Sequence, residues 1–554
     1  MPPIVPKGYQ HQDPATWSVS VEAIENAVYD LKRAVVNVKD YGAVGDGTTD
    51  DATAFRDALN DVSGAGASGI IVPRATYRLA ASSTVPSDVV IYGDQATIKV
   101  DTSIAGGAHR APFELFGGEN VTFAGLRFEV DVDNAGISAF GWKNLTVRDC
   151  VFTGAGAENS AMINLSTYEV DPHDGAKILF NKFVDCAAGP AIQLHAHSAR
   201  TISDTTILGN RFEAVFRYGV KFTAIDTMVR STRIIGNEFV DLIKPASGYS
   251  FAVTGGLDAA YKIEDVLIAY NSYRSTRNES KIFVGFYSSR KVRIKDNVAV
   301  DTGTSDDTSF FTPGRLSDPL EDFVVSGNVV EGFGSFWDAD SMRRGNVCDN
   351  VVKDCKPNGG LQVGYGVQEY IDIHDNTFYN CYNTTVGNAA AVLIGTVSPA
   401  AKKVTVHDNL IVDDQGTPNI NKFVYTSGAG AFDSSDVTIE RNRVYVPSGA
   451  VTLGVTKQDA ANVPPRSIRD NEIHSSAGRI TPEGTASITV TASPFTYTAG
   501  TTPEAIYIRG GTVSDISKNS RTIFAASPAT VWLEPGEAVV VTYSVAPTME
   551  KDRK

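Results

Sequence analysis

The sequence predicts an all-β chain wound into a parallel β-helix, and three observations carry that prediction. A short apolar strand ending in asparagine recurs eleven times, at Asn181, Asn210, Asn237, Asn271, Asn297, Asn328, Asn350, Asn376, Asn409, Asn442 and Asn471. The ten intervals average 29 residues and run from 22 to 34, the period of a solenoid. Within these strands Ile371 and Ile373, Val404 and Val406, and Val437 and Ile439 stand at i and i+2, which is strand spacing. A second strand follows each asparagine by about ten residues, as in Ala191–His195, Gly219–Thr223 and Gly360–Gly364, so each repeat is a coil of two or three strands. Asparagine suits the corner between strands, because it tolerates left-handed backbone and its amide can bond the asparagine of the next coil.

Composition narrows the class. Lys and Arg number 49 against 64 Asp and Glu, a net charge of −15, which disfavours nucleic acid as the general partner. With 42% hydrophobic and 20% charged residues the chain can bury a large core. No apolar run is long enough for a membrane span, and Met1–Lys7 lacks the apolar stretch of a signal peptide, so no membrane insertion and no ordinary export are expected. The five cysteines form no CxxC pair. Cys186, Cys355 and Cys381 each lie five residues after a ladder asparagine, a core column, and all five are expected as buried thiols of a protein made in a reducing compartment. Cys355 and Cys381 sit on successive coils, close enough for a bridge that the reducing origin argues against.

Taken in order, residues 1–35 form an N-terminal adaptor whose segment 17–35 reads as a short helix. Val21, Ile24, Val28, Leu31 and Val35 keep heptad spacing, with Glu22 and Glu25 at its start and Lys32 and Arg33 at its end. A trimeric coiled coil is favoured over a helix packed on its own solenoid. Next, Val38-Lys39-Asp40-Tyr41-Gly42-Ala43-Val44-Gly45-Asp46-Gly47-Thr48-Thr49-Asp50-Asp51-Ala52-Thr53-Ala54-Phe55 closely resembles the entry motif of the pectate-lyase-like superfamily of right-handed β-helix proteins. Its glycines permit a tight turn, Asp50 or Thr49 can cap a helix bearing Ala54, Phe55, Ala58 and Leu59, and that helix would close the open end of the solenoid. Gly69–Leu79 and Val89–Asp94 resemble the first coil strands of the same family, and the β-helix is placed at residues 36–476. The resemblance implies a right-handed parallel β-helix.

Beyond it, Ser487–Thr491, Ala505–Arg509, Thr530–Leu533 and Ala538–Tyr543 alternate as short strands, which predicts a small β-sandwich at 477–554 for trimerisation or glycan binding. Tyr507–Ser517 and Val531–Ala538 resemble C-terminal modules of phage minor tail proteins. The superfamily spans pectate lyases, polygalacturonases and phage tailspikes. The helical adaptor, C-terminal module and missing export signal resemble a homotrimeric bacteriophage tailspike. That resemblance implies assembly in host cytoplasm, attachment to the tail or baseplate through the N-terminus, and recognition and degradation of a bacterial surface polysaccharide. A non-catalytic receptor-binding fibre and a free polysaccharide-degrading enzyme are the rival classes.

Chemistry must come from outward-facing side chains, and no cofactor or metal is called for. Polygalacturonases carry Arg-Ile-Lys, but Arg293-Ile294-Lys295 is the ladder strand before Asn297 and lacks a preceding Gly-His-Gly. His374 and His407 hold equivalent outward positions on adjacent coils and read as stacked surface side chains. The favoured catalytic pair is Asp338 and Asp340. With Trp337 and Ala339 inward, Phe336 and both carboxyls share an outer face, at the separation glycoside hydrolysis uses for its two acids. Phe336 would stack on a sugar, Arg343 or Arg344 would hold an anionic substituent, and Gln362 would bind substrate. The alternative is a lyase site of Gln193, His195, His197 and Lys221, in which histidine takes the C5 proton of a uronate and lysine steadies its carboxylate without metal.

Overall fold

The apolar face of one helix closes a stack of strands. A computed structural model describes residues 35–553 apart from several loops, chiefly 105–109, 156–160, 256–262, 314–318, 338–340, 356–359, 364–367, 395–401, 427–435, 452–466 and 481–485. The expected helix at 17–35 lies outside the described residues except Val35, which instead opens the strand Val35–Asn37. The helix Ala52–Ala65 is present. Asp50 Oδ1 accepts from Ala52 N at 3.1 Å, which makes Asp50 the cap. Ala54, Phe55, Ala58, Leu59 and Val62 are buried, with the Phe55 ring 5.3 Å from Tyr77 and 6.0 Å from Phe113.

Behind this plug the chain winds as a parallel β-helix. One sheet holds sixteen strands, from Val35–Asn37 to Ser467–Arg469, each paired in parallel with the equivalent strand of the next coil. A second runs from Asp46–Asp50 to Glu472–Ser475, and a third, of ten strands, from Ser83–Thr84 to Ser335–Trp337. The asparagines stand between the first and second sheets. Asn181 Nδ2 donates to Asn210 Oδ1, Asn210 Nδ2 to Asn237 Oδ1, and the chain of bonds continues to Asn471 at 2.8–3.0 Å. Inside, Phe128, Phe152, Phe183, Phe212 and Phe239 stack face to face at 4.6–5.0 Å. All five cysteines are buried, unbridged thiols.

The C-terminal residues form the expected β-sandwich, two four-stranded antiparallel sheets with their own core of Ile506, Ile508, Ile516, Val531, Leu533, Val539, Val541 and Met549. Among the described residues no helix is long and apolar enough to cross a membrane.

Candidate functional site

The third sheet differs from the others at its entry corner, where two consecutive residues of a strand turn inward. Phe283 and Val284, Phe310 and Phe311, and Phe336 and Trp337 are all buried in the main core. The expected outward placement of Phe336 is therefore corrected. Its ring lies 5.6 Å from Phe310, nearly parallel, and 5.9 Å from Phe378, so it fills core volume and offers no face to a sugar. Asp338 and Asp340 lie outside the described residues, as does the side chain of Gln362. Arg343 and Arg344 belong to Met342–Cys348 of the first sheet, across a corner from Phe336. Arg343 pairs with Glu321 at 3.5 Å and Glu369 at 3.2 Å, and Arg344 with Glu321 at 2.7 Å and Asp322 at 2.6 Å. Both arginines are thus engaged in a coil-to-coil ion-pair network rather than aimed at the third sheet.

After the corner, strict alternation resumes and builds a polar outer face. Ile192, Leu194 and Ala196 point in against Val220, Phe222 and Ala224, which leaves Gln193 paired with Lys221 and His195 with Thr223 on the outside. The same columns continue on earlier coils as Ser138 and Asn164 beside Gln193, and Ser166 beside His195. Gln193 and Asn164 are buried, whereas His195, His197 and Lys221 are half-buried. The imidazoles of His195 and His197 meet edge to face with centroids 5.9 Å apart. His197 is held through its backbone, because its N–H donates to Thr167 Oγ1 and its carbonyl accepts from the same hydroxyl, both at 2.6 Å. Lys221 Nζ lies 5.1 Å and Arg217 Cζ 4.9 Å from the Tyr218 ring centroid. Two cations thus flank one aromatic ring beside this face.

Sequence reasoning missed a neighbouring group. Asp171 receives His173 Nδ1 at 3.1 Å and Arg200 Nε at 3.6 Å, so the turns that follow Ile163–Ser166 and Ile192–Ala196 are joined here as well as at Thr167 and His197. His173 Nε2 is 3.3 Å from the Phe140 carbonyl, and its ring stands edge-on to Trp142 at 5.2 Å. Burial lowers its pKa, partly offset by that carbonyl and by Asp171. The signal was the segment Asp171-Pro172-His173-Asp174, two acids around one histidine just past a strand end.

The match to a known family falls on this part of the chain. The family model described as rhamnogalacturonase A/epimerase, pectate lyase-like, matches residues 35–228. The N-terminal coils are pectate-lyase-like. Mannuronan C5-epimerase AlgE3 of Azotobacter vinelandii is 29% identical over 157 residues, 25% of this chain and 8% of that protein. The preneck appendage protein of Bacillus phage PZA is 32% identical over 143 residues, 23% of this chain and 16% of that one. The chain thus spans a small part of the length of the curated relatives it matches. Among solved structures, the tailspike protein of E. coli bacteriophage HK620 in complex with pentasaccharide aligns over 95% of this chain and 94% of its own, at 12% identity and a TM-score of 0.42.

Proposed function

We propose that this chain is a phage tail protein that binds a uronate-containing bacterial surface polysaccharide and acts on it by removing the C5 proton. The observation that carries the reading is the placement of His195 and Lys221 as diagonal neighbours on the outward face of adjacent coils, where Gln193 pairs with Lys221 and His195 with Thr223. One imidazole nitrogen of His195 takes the proton, the electron pair moves into the carboxylate, and the Lys221 ammonium offsets the charge that gathers there. In elimination the C4–oxygen bond then breaks, a C4–C5 double bond forms, and His197 supplies the proton the departing oxygen needs. Gln193 holds a sugar hydroxyl. Asp171 and His173 border the same face. C5 epimerisation, the reaction for which the Azotobacter relatives are named, shares the first step and returns a proton to the other face. The phage appendage relatives support a place on the virion. Attachment through residues 1–35 and assembly as a homotrimer complete the proposal, and light scattering at three times the chain mass is the expected result. A clean monomer at micromolar concentration would favour a free enzyme.

The decisive experiment incubates the purified protein with polyuronate and with host surface polysaccharide, then reads products by mass and by the ultraviolet absorbance of unsaturated uronate. Unsaturated products, or inverted C5 centres at unchanged mass, that vanish in His195→Ala and Lys221→Ala are expected. Saturated products one water heavier, lost in Asp338→Asn or Asp340→Asn instead, would return the assignment to glycoside hydrolysis. Binding without any product would make the chain a receptor-binding fibre.

A further inference from the structure

The corner just before the asparagine ladder, between the first and second sheets, takes left-handed backbone on every coil from Phe180 to Asp470. Most of its positions hold Gly or Asp, such as Gly209, Gly236, Asp296 and Gly327, which accept that conformation. Phe180 and Tyr270, at φ 56 and 57, are exceptions, because a bulky side chain is strained there. Both are nevertheless turned to solvent, 55% and 66% exposed, so neither ring is kept at its corner by burial in the core. Strain of this kind persists where a surface clamps a ligand.

The surface between the two rings is apolar. Strands Lys177–Leu179, Thr205–Leu208, Val229–Ile235 and Ile263–Ala269 pair so that Leu179, Leu208, Ile235 and Ala269 form one column beside the corner, the first three half-buried. A Cβ built on Gly209 would stand 2.5 Å from Phe180 Cδ1, so the Phe180 ring lies across that glycine. On the next coil a Cβ on Gly236 would meet only Leu208 Cδ1, at 3.9 Å, and the backbone between the two rings is open. Three coil steps, about 14 Å at Cα, separate Phe180 from Tyr270. The strip thus has an aromatic ring at each end and a bare glycine between them.

The charges around the strip do not cancel. Arg148 pairs with Asp149 at 2.8 Å, Arg211 with Glu213 at 3.0 Å and also with Glu238, and Arg233 with Asp265 at 3.1 Å. The Asp296 carboxylate leans over Gly327 on the following coil, away from Tyr270. Lys177 and Lys182 bracket Phe180 on its own coil, exposed, and Lys295 continues the aliphatic column past Ala269. None of these three lysines forms an ion pair among the described residues. An apolar strip in a chain of net charge −15 is therefore edged by unanswered positive charge.

We propose that this strip is a second, non-catalytic binding surface for an acidic saccharide chain laid along the solenoid axis. The apolar C–H faces of its sugar rings pack on Phe180 and Tyr270, its hydroxyls stay in water, and its carboxylates meet Lys177, Lys182 and Lys295. The surface goes beyond the proposed reaction, which belongs to the third sheet, where His195 and Lys221 lie. A chain held here is kept near the protein without being cut. A second copy of the protein docked strip to strip would bring the lysines of both copies together, and like charges so placed oppose association.

Full-length protein carrying Lys221→Ala, which disables the reaction site, is titrated by calorimetry with oligogalacturonates and oligomannuronates, and with uncharged dextran oligosaccharides for comparison. Saturable binding of the acidic chains, weakened by salt, is expected. Phe180→Asn and Tyr270→Asn, each added to that background, should lower the affinity by about three- to tenfold. Lys177→Gln with Lys182→Gln should lower it too and reduce its dependence on salt. Because asparagine accepts left-handed backbone, both aromatic variants should melt no lower than their parent, which separates lost binding from lost folding. Unchanged affinity in F180N/Y270N, an absence of saturable binding in the Lys221→Ala parent, or dextran bound as tightly as the acidic chains overturns the proposal. A fall in molecular mass by light scattering in F180N/Y270N would make the strip an interface between copies and overturn it as well.

Discussion

Asn376 shows how one side chain holds three coils. Its Nδ2 donates to the Val347 and His374 carbonyls and to Asn409 Oδ1, each at 2.9 Å, and its Oδ1 accepts from Asn350 N at 3.1 Å and Asn350 Nδ2 at 2.8 Å. Asn376→Ala strands buried groups on both neighbouring coils, at about 1–3 kcal/mol for each group left unsatisfied. A clear drop in melting temperature with glycan cleavage per folded molecule unchanged is the expected result, and intact melting with abolished cleavage would mean that a site had been mistaken for scaffold. Lys281 is a second such residue. Its Nζ donates to Asp301 Oδ1 at 2.9 Å and Ser275 Oγ at 3.0 Å, and both charged side chains are almost fully buried. Lys281→Met leaves Asp301 buried without its counter-charge and should cost about 3–5 kcal/mol in chemical denaturation. Adding Asp301→Asn should recover part of that loss, because an isolated buried charge costs more than a neutral group. The two residues differ in legibility. Asn376 stood out because a polar residue recurred in an apolar context at a fixed interval, whereas nothing near Lys281 separates it from a surface lysine.

At the scale of a strand, alternation was a sound guide only where the backbone is straight. It placed Gln193, His195 and Lys221 outside because Ile192, Leu194, Val220 and Phe222 are uninterrupted inward partners. It failed at Ser335–Trp337 because a corner turns Phe336 and Trp337 inward together, and a count of two carried through that corner inverts the face. Corners also demand small residues on the neighbouring coil. Gly345 pairs with Phe323, and a Cβ built on it would stand 2.0 Å from the Phe323 ring, which is itself buried. Gly345→Ala should therefore destabilise by about 1–3 kcal/mol through overpacking, with Gly345→Ala/Phe323→Leu partly restored; an unaffected single variant would refute the packing argument. Along the outer face of the same sheet, ion pairs tie coil to coil. Lys291 and Arg290 hold Glu264 below the usual carboxylate range against the opposing effect of burial, and Lys402 with Arg343 does the same for Glu369. A carboxylate whose folded pKa is depressed contributes stability above its unfolded value and loses it as pH falls through the folded one. Melting temperature should accordingly fall on acidification below about pH 4.5, and Glu264→Gln should flatten that fall while lowering stability at neutral pH.

Over the whole molecule the β-helix and the sandwich are separate in their packing. Among the described residues, the core that runs from Val38 to Ile473 and the core of Ile506, Ile508, Ile516 and Leu533 have no residue in common. The end of the asparagine ladder at Asn471 puts the boundary at residue 476, while the strand Gly478–Ile480 still pairs with Glu472–Ser475 of the β-helix. The pairing of the two four-stranded sheets was not legible in the sequence, since antiparallel order depends on which loops close and short strands carry little register information. The solenoid is quasi-one-dimensional, with each coil stabilised by its two neighbours and its first coil sealed by Ala52–Ala65. The sandwich must instead bury enough surface within a small domain, which leaves it the less stable unit. Full-length protein in scanning calorimetry should therefore show two transitions, the smaller and earlier one assigned to the sandwich. Ile516→Ala, in the sandwich core, should destabilise that unit by about 2–5 kcal/mol, lowering its transition and leaving the larger one in place. Phe183→Ala, in the stacked column of the β-helix, should do the reverse. If either substitution moves both transitions together, or if the parent melts in a single step, the two cores are coupled and the solenoid does not fold independently of its C-terminal unit.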